Sequence, residues 1–124
     1  MEEQNELNIG IGTEEAKTLN PEVVKIVKVE VIELGEKKSK KVVCSVKHSQ
    51  QDEPISISGI KYESKGKLEE AGLWLNQDSK GLIRKGSALA TFLIFVKVQT
   101  IQELVGKEVQ TIQDSNGYLR FKSY

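Results

Sequence analysis

The sequence predicts a mostly β domain, a small barrel of five strands with one helix between strands three and four. Three observations lead there. Residues 23–33 and 41–48 are dense in β-branched side chains, and Ile55-Ser56-Ile57-Ser58 alternates apolar with polar. No strand–helix–strand repetition appears, which argues against a doubly wound parallel sheet. The 124 residues suit one domain with a modest core. We divide them into an acidic arm, residues 1–20, and a β domain, residues 21–124.

The arm carries Asn5, Asn8, Gly10, Gly12 and Asn20 without a sustained period, so it reads as a flexible segment with at most a short extended piece at Leu7–Ile11. Strand one follows Pro21 and runs over 23–33. Its apolar phase is mixed, because Ile26 and Ile32 fall opposite Val27, Val29 and Val31, and a long strand that changes environment or contains a bulge would account for this. Gly35 to Lys40 is a polar turn, and strand two, 41–48, returns antiparallel with Val42, Cys44 and Val46 on one face. Strand three spans 55–62, with Gly59 marking a bulge or sharp curl. Leu68–Ala71 reads as a short helical turn stopped by Gly72. Residues 73–75 and 82–84 read as a small hairpin about the turn-forming stretch 76–81. Ser87 is placed to cap a helix reaching Val96, and a buried strand over 92–98 is the rival reading of the same apolar run. Thr100 and Glu103 fit a capping box for one turn at 101–105, ended by Gly106. Residues 107–113 and 118–124 form the closing hairpin about Asn116-Gly117.

Closing five strands into a barrel removes exposed strand edges, and the order β-β-β-α-β-β is that of the OB barrel. The segment from Lys85-Gly86-Ser87-Ala88-Leu89-Ala90, through Glu103-Leu104-Val105-Gly106-Lys107-Glu108-Val109, to Gly117-Tyr118-Leu119-Arg120-Phe121 resembles OB-like single-stranded-DNA-binding accessory proteins of phages and mobile elements. It covers residues 85–124. The resemblance implies a five-stranded barrel that binds single strands across its sheet.

The charge is balanced in total, 18 basic against 18 acidic residues, and divided in space. Residues 1–22 hold six glutamates and only Lys17, a net of minus five, which leaves plus five on residues 23–124. Four lysines, Lys37, Lys38, Lys40 and Lys41, crowd the first turn. Lys61, Lys65 and Lys67 form a sparser group, as do Lys80, Arg84 and Lys85. Basic loops on a small β domain point to a polyanion, since local field follows arrangement rather than the sum of charge. Each group alone also suits a solvated loop. The arm, with five of those six glutamates, is placed to fold over the basic surface and compete with phosphates; an ordinary solubilising tail is the plainer reading.

No motif for catalysis or metal binding is present. One cysteine, Cys44, cannot make an internal disulfide or a cysteine zinc site, and it sits within a strand as a small apolar residue. One histidine, His48, stands at the end of strand two with no acid or nucleophile placed by motif beside it, and is expected at a surface or edge. Gly10-Ile11-Gly12 lacks the rest of a dinucleotide fingerprint. The expectation is therefore binding without catalysis, cofactor or metal. The partner is single-stranded DNA or RNA, with a protein-interaction or assembly module as the competing reading. The acidic start lacks a signal-peptide pattern, and the longest apolar run is too short for a bilayer, so a cytoplasmic protein without membrane partners is expected. On the barrel face, Lys37, Lys38, Lys40, Lys41, Lys47, Lys61 and Arg120 would neutralise phosphates, while Tyr62, Trp74 and Tyr118 would stack on bases. The plainer alternatives are a core Trp74, a packed Tyr62, and a Tyr118 that pairs only across its hairpin.

Overall fold

The computed structural model describes residues 6–8, 10, 11 and 19–124, so most of the expected arm, and the competition assigned to it, lies outside the described residues. Among the described residues, seven strands and one α-helix follow in the order β1 (Val23–Leu34), β2 (Ser39–Lys47), β3 (Ile55–Ile57), β4 (Gly59–Ser64), β5 (Lys67–Gly72), α1 (Ala88–Val96), β6 (Glu108–Gln113) and β7 (Leu119–Ser123). They make one mixed sheet with the order β3-β2-β1-β6-β7-β4-β5, in which β4 and β7 are parallel and all other neighbours antiparallel.

Two expectations are overturned here. The five-stranded closed barrel is replaced by a seven-stranded sheet whose ladder is open, its terminal strands β3 and β5 not pairing with each other. The helix follows the fifth strand, not the third. With them falls the resemblance to OB-like single-stranded-DNA-binding proteins, which implied that closed barrel.

The causes are local. Ser58 interrupts the expected third strand, so the chain leaves β3 at one end of the sheet and enters β4 near the other. Leu68–Ala71 are good helix formers, yet they lie in β5. The preceding Lys65 and Gly66 both have positive φ, 52° and 78°, the geometry of a two-residue hairpin turn. That turn lays Glu69 opposite Tyr62 and Glu70 opposite Lys61, and pairing overrides a weak helical preference. Past β5, Leu73 N–H donates to Ser58 C=O at 2.9 Å. Val42 N–H then donates to Leu73 C=O, and Leu75 N–H to Lys40 C=O, each at 2.8 Å. These bonds hold the two ends of the sheet alongside one another without completing a ladder. Leu73–Leu75 therefore lies against β2, while the small hairpin forms one step later: Arg84 N–H donates to Asn76 C=O and Asp78 N–H to Leu82 C=O.

Other expectations hold. The bulge in β1 falls between Ile26 and Lys28. Ser87 caps α1 by accepting from Ala90 N–H, and Lys97 closes it in the left-handed conformation at φ 67°. The Thr100–Glu103 pair forms differently from a capping box. The Thr100 hydroxyl donates to the Glu103 carboxylate at 3.2 Å, beside a single 3-10 turn at Gln102–Leu104.

The core lies between the curled sheet and α1. Val24, Ile26, Val42, Cys44, Val46, Ile57, Ile60 and Phe121 come from the strands, and Leu89, Phe92 and Leu93 from the helix. The Phe92 and Phe121 rings stack at 4.8 Å, joining α1 to β7. Burial pushes the Cys44 thiol up to about 12, so it is an inert apolar filler, as its place in a strand suggested. No helix among the described residues is long and apolar enough to cross a membrane.

Candidate functional site

A polar groove of about 230 Å³ opens on the outer face of the sheet, where β3 passes into β4 and meets the β6–β7 turn. Lys41, Ser56, Gly59, Asp114, Tyr118 and Arg120 are among the residues that line it. Its shape depends on two glycines. A Cβ on Gly59 would stand 2.3 Å from Arg120 Nη1 and 3.2 Å from Ala71 O. A Cβ on Gly72 would stand 2.8 Å from Trp74 Nε1 and 3.0 Å from Lys41 Cε. Glycine at these positions lets Arg120 lie across β4 and lets Lys41 and Trp74 lie together over β5.

Arg120 is held from several sides. Its Nε donates to Asp114 Oδ2 at 3.0 Å and its Nη1 to Ala71 O at 3.2 Å, with Glu70 Oε2 at 3.9 Å from Nε. Asp114 also organises the β6–β7 turn, its Oδ1 accepting from Asn116 N–H and Tyr118 N–H at 2.9 Å each. Burial works to raise the Asp114 pKa. Hydrogen bonds from Tyr118, Arg120 and Asn116, with the Arg120 charge, prevail and hold it below the usual carboxylate value. Asp114 thus pairs with the arginine and fixes its plane, while the Arg120 charge is still felt at Lys41.

Lys41 differs. Its Nζ stands over the Trp74 ring at 5.0 Å, a cation–π contact, and no carboxylate lies within salt-bridge distance of it among the described residues. Burial, and then the charge of Arg120, lower its pKa. A counter-charge entering the groove would relieve that repulsion. Tyr118 stands at the rim, 72% exposed, and Trp74 is 36% exposed. Beyond Trp74 lies a second hollow lined by Ser39, Lys40, Trp74, Leu75 and Asn76.

Of the residues expected from the sequence, Lys41, Trp74, Tyr118 and Arg120 gather at or beside the groove. Lys37, Lys38 and Lys40 are exposed at the β1–β2 turn and the start of β2. Lys47 lies at the far end of β2, opposite Lys25. Lys61 pairs across β4–β5 with Glu70, and its neighbour on β7 is Lys122. Tyr62 is not a groove residue: it packs against the core, and its hydroxyl donates to Glu69 Oε2 at 3.1 Å. Sequence reasoning missed Ser56, Gly72 and the part of Asp114. Only Asp114 had a signal, as the first residue of Asp-Ser-Asn-Gly, a frequent turn opener.

His48 corrects another expectation, being 3% exposed rather than at a surface. Gln50 N–H donates to its Nδ1 at 3.1 Å, which leaves the proton on Nε2, donated to Asn20 O at 2.7 Å. Glu22 stands 3.6 Å from Nε2 and accepts from the Ser49 hydroxyl and N–H. The cluster ties the chain before β1 to the β2–β3 turn. Its groups are engaged with one another, which makes a structural clasp. No group of three or more histidine, cysteine or acidic residues among the described residues is arranged to hold a metal ion.

No protein-family model, curated protein or solved structure matches this chain.

Proposed function

We propose that the protein binds single-stranded nucleic acid without sequence preference, seating a phosphate at Lys41 and Arg120 and stacking bases on Trp74 and Tyr118. The reading rests on the groove and not on the fold, since the barrel that first suggested it is absent. The observation that carries it is the Lys41 ammonium: half-buried, repelled by Arg120, stacked on Trp74 and unmatched by any carboxylate within 4 Å among the described residues. Lys37, Lys38 and Lys40 extend the positive field from the groove along the hairpin. Binding is the whole activity in this reading; no bond is made or broken, and its setting is the cytoplasm.

The test is a Trp74 fluorescence titration with oligo-dT, oligo-U and duplex DNA at two salt concentrations. Quenching by single strands that weakens steeply with salt is the expected result. Replacing Lys41 by alanine should weaken binding markedly, while Lys47→Ala at the far end of β2 should do so less. Trp74 emission that stays unchanged with every oligonucleotide at low salt would overturn the proposal.

A further inference from the structure

β1 is twelve residues long, but β6 pairs with it only from Val23 to Lys25. That line ends where Ile26 N–H donates to Lys107 C=O and Ile26 C=O accepts from Gly106 N–H. From Lys28 to Leu34 no strand among the described residues lies on this side of β1. The orientation of its backbone groups follows from β2. Antiparallel partners alternate between residues that exchange backbone bonds and residues that turn them away. Val42 N–H and Lys40 C=O are engaged with Leu73 and Leu75, on the side of β2 away from β1. Their β1 partners, Val31 and Glu33, therefore turn their own N–H and C=O to the open side, as does Val29.

Among the described residues this edge lacks several of the usual protections. It has no proline, its bulge lies before Lys28, and Lys28 and Glu30 offset each other at 3.3 Å on the outer face. Val31 and Leu34 are 46% and 42% exposed.

We propose that β1 pairs with β1 of a second copy of this chain, antiparallel about a two-fold axis at Val31. One register satisfies every constraint. With the axis at Val31, Val31 exchanges both backbone bonds with Val31 of the second copy, and Val29 does so with Glu33. Lys28 then faces Leu34 and Glu30 faces Ile32, so no like charges stand directly opposite. An axis at Glu30 sets Glu30 against Glu30. An axis at Val29 drives Ile32 of the second copy into the place that Lys107 occupies beside Ile26. An axis at Ile32 leaves Val29 opposite the Gly35 turn. The edge is thus its own complement, the requirement of an isologous contact.

The experiment combines sedimentation equilibrium with amide hydrogen exchange on the full chain, each over a range of concentrations. The expected mass rises with concentration from 13.9 kDa towards twice that value. The amides of Val29, Val31 and Glu33 should gain protection in step with it, tenfold or more. In a hydrogen-bonded antiparallel pair the Cα atoms stand about 5.5 Å apart, within disulfide reach. Val31→Cys should therefore yield a covalent dimer on mild oxidation, and Leu82→Cys, also exposed, should not. A single-chain mass at every concentration with no Val31→Cys cross-link would overturn the proposal. Protection of the three amides that does not depend on concentration would overturn it as well, since the edge would then be covered from within the same chain.

Discussion

Gly59 sets the groove through what it omits. A methyl group there would meet Arg120 Nη1 at 2.3 Å, and the Ala71 carbonyl leaves little room to give. Arg120 is also bonded to Asp114, so it cannot swing aside without breaking that bond. Gly59→Ala should cost about 1–3 kcal/mol, the usual scale of overpacking, read from urea unfolding midpoints. An unchanged midpoint would mean that Arg120 moves freely. Glu22 gives a second test. Hydrogen bonds from the Ser49 hydroxyl and then the Ser49 N–H lower its pKa below 4.5, against the opposing effect of burial and with help from nearby His48. A carboxylate whose folded pKa is depressed contributes stability above its unfolded pKa and loses that contribution as pH falls through the folded value. Wild-type stability should therefore decline from about pH 4.5 downward, and Glu22→Gln should make that acid limb shallower. Equal slopes in the two proteins would remove Glu22 from the account.

At the scale of elements, α1 was legible because its signals are local. Ser87 accepts from Ala90 N–H, Leu89, Phe92 and Leu93 share the buried face, and Lys97 N–H and Val98 N–H close the last turn on Ile94 and Leu93 carbonyls. Ser87→Ala should cost about 1 kcal/mol, measured by thermal unfolding, and Ser87→Asp should restore most of it. β1, β2, β6 and β7 were legible for a similar reason: β-branched density and turn residues are properties of short windows. β5 was not. Leu68-Glu69-Glu70-Ala71 carries a helical preference, and its strand pairing depends on β4 across a tight turn. His48 was misplaced for the same kind of reason, since Asn20, Glu22 and Gln50 assemble around it only in the folded chain.

For the whole molecule, the field around the groove is set by where the lysines collect. Under the proposed function, changing Lys37, Lys38, Lys40 and Lys41 together to alanine should reduce the salt dependence of single-strand binding, by roughly 0.7 in log–log slope for each phosphate no longer neutralised. A slope equal to that of the unaltered protein would take the β1–β2 turn out of the interface. The quadruple change is compatible with the fold, because none of the four side chains lies in the buried core.

The amino-acid order by itself determined that the chain is mostly β, that Ser87 is placed to cap the apolar run before the final hairpin, that Cys44 sits within a strand, and that positive charge gathers at the first turn. Each of these follows from neighbours along the chain. The tertiary structure alone decided that one expected strand divides at Ser58, that β4 lies parallel to β7, and that the ladder stays open. It also decided that Lys41, Trp74, Tyr118 and Arg120 share one groove while Tyr62 turns away. Those outcomes depend on contacts between residues far apart in sequence, whose energies no local pattern records.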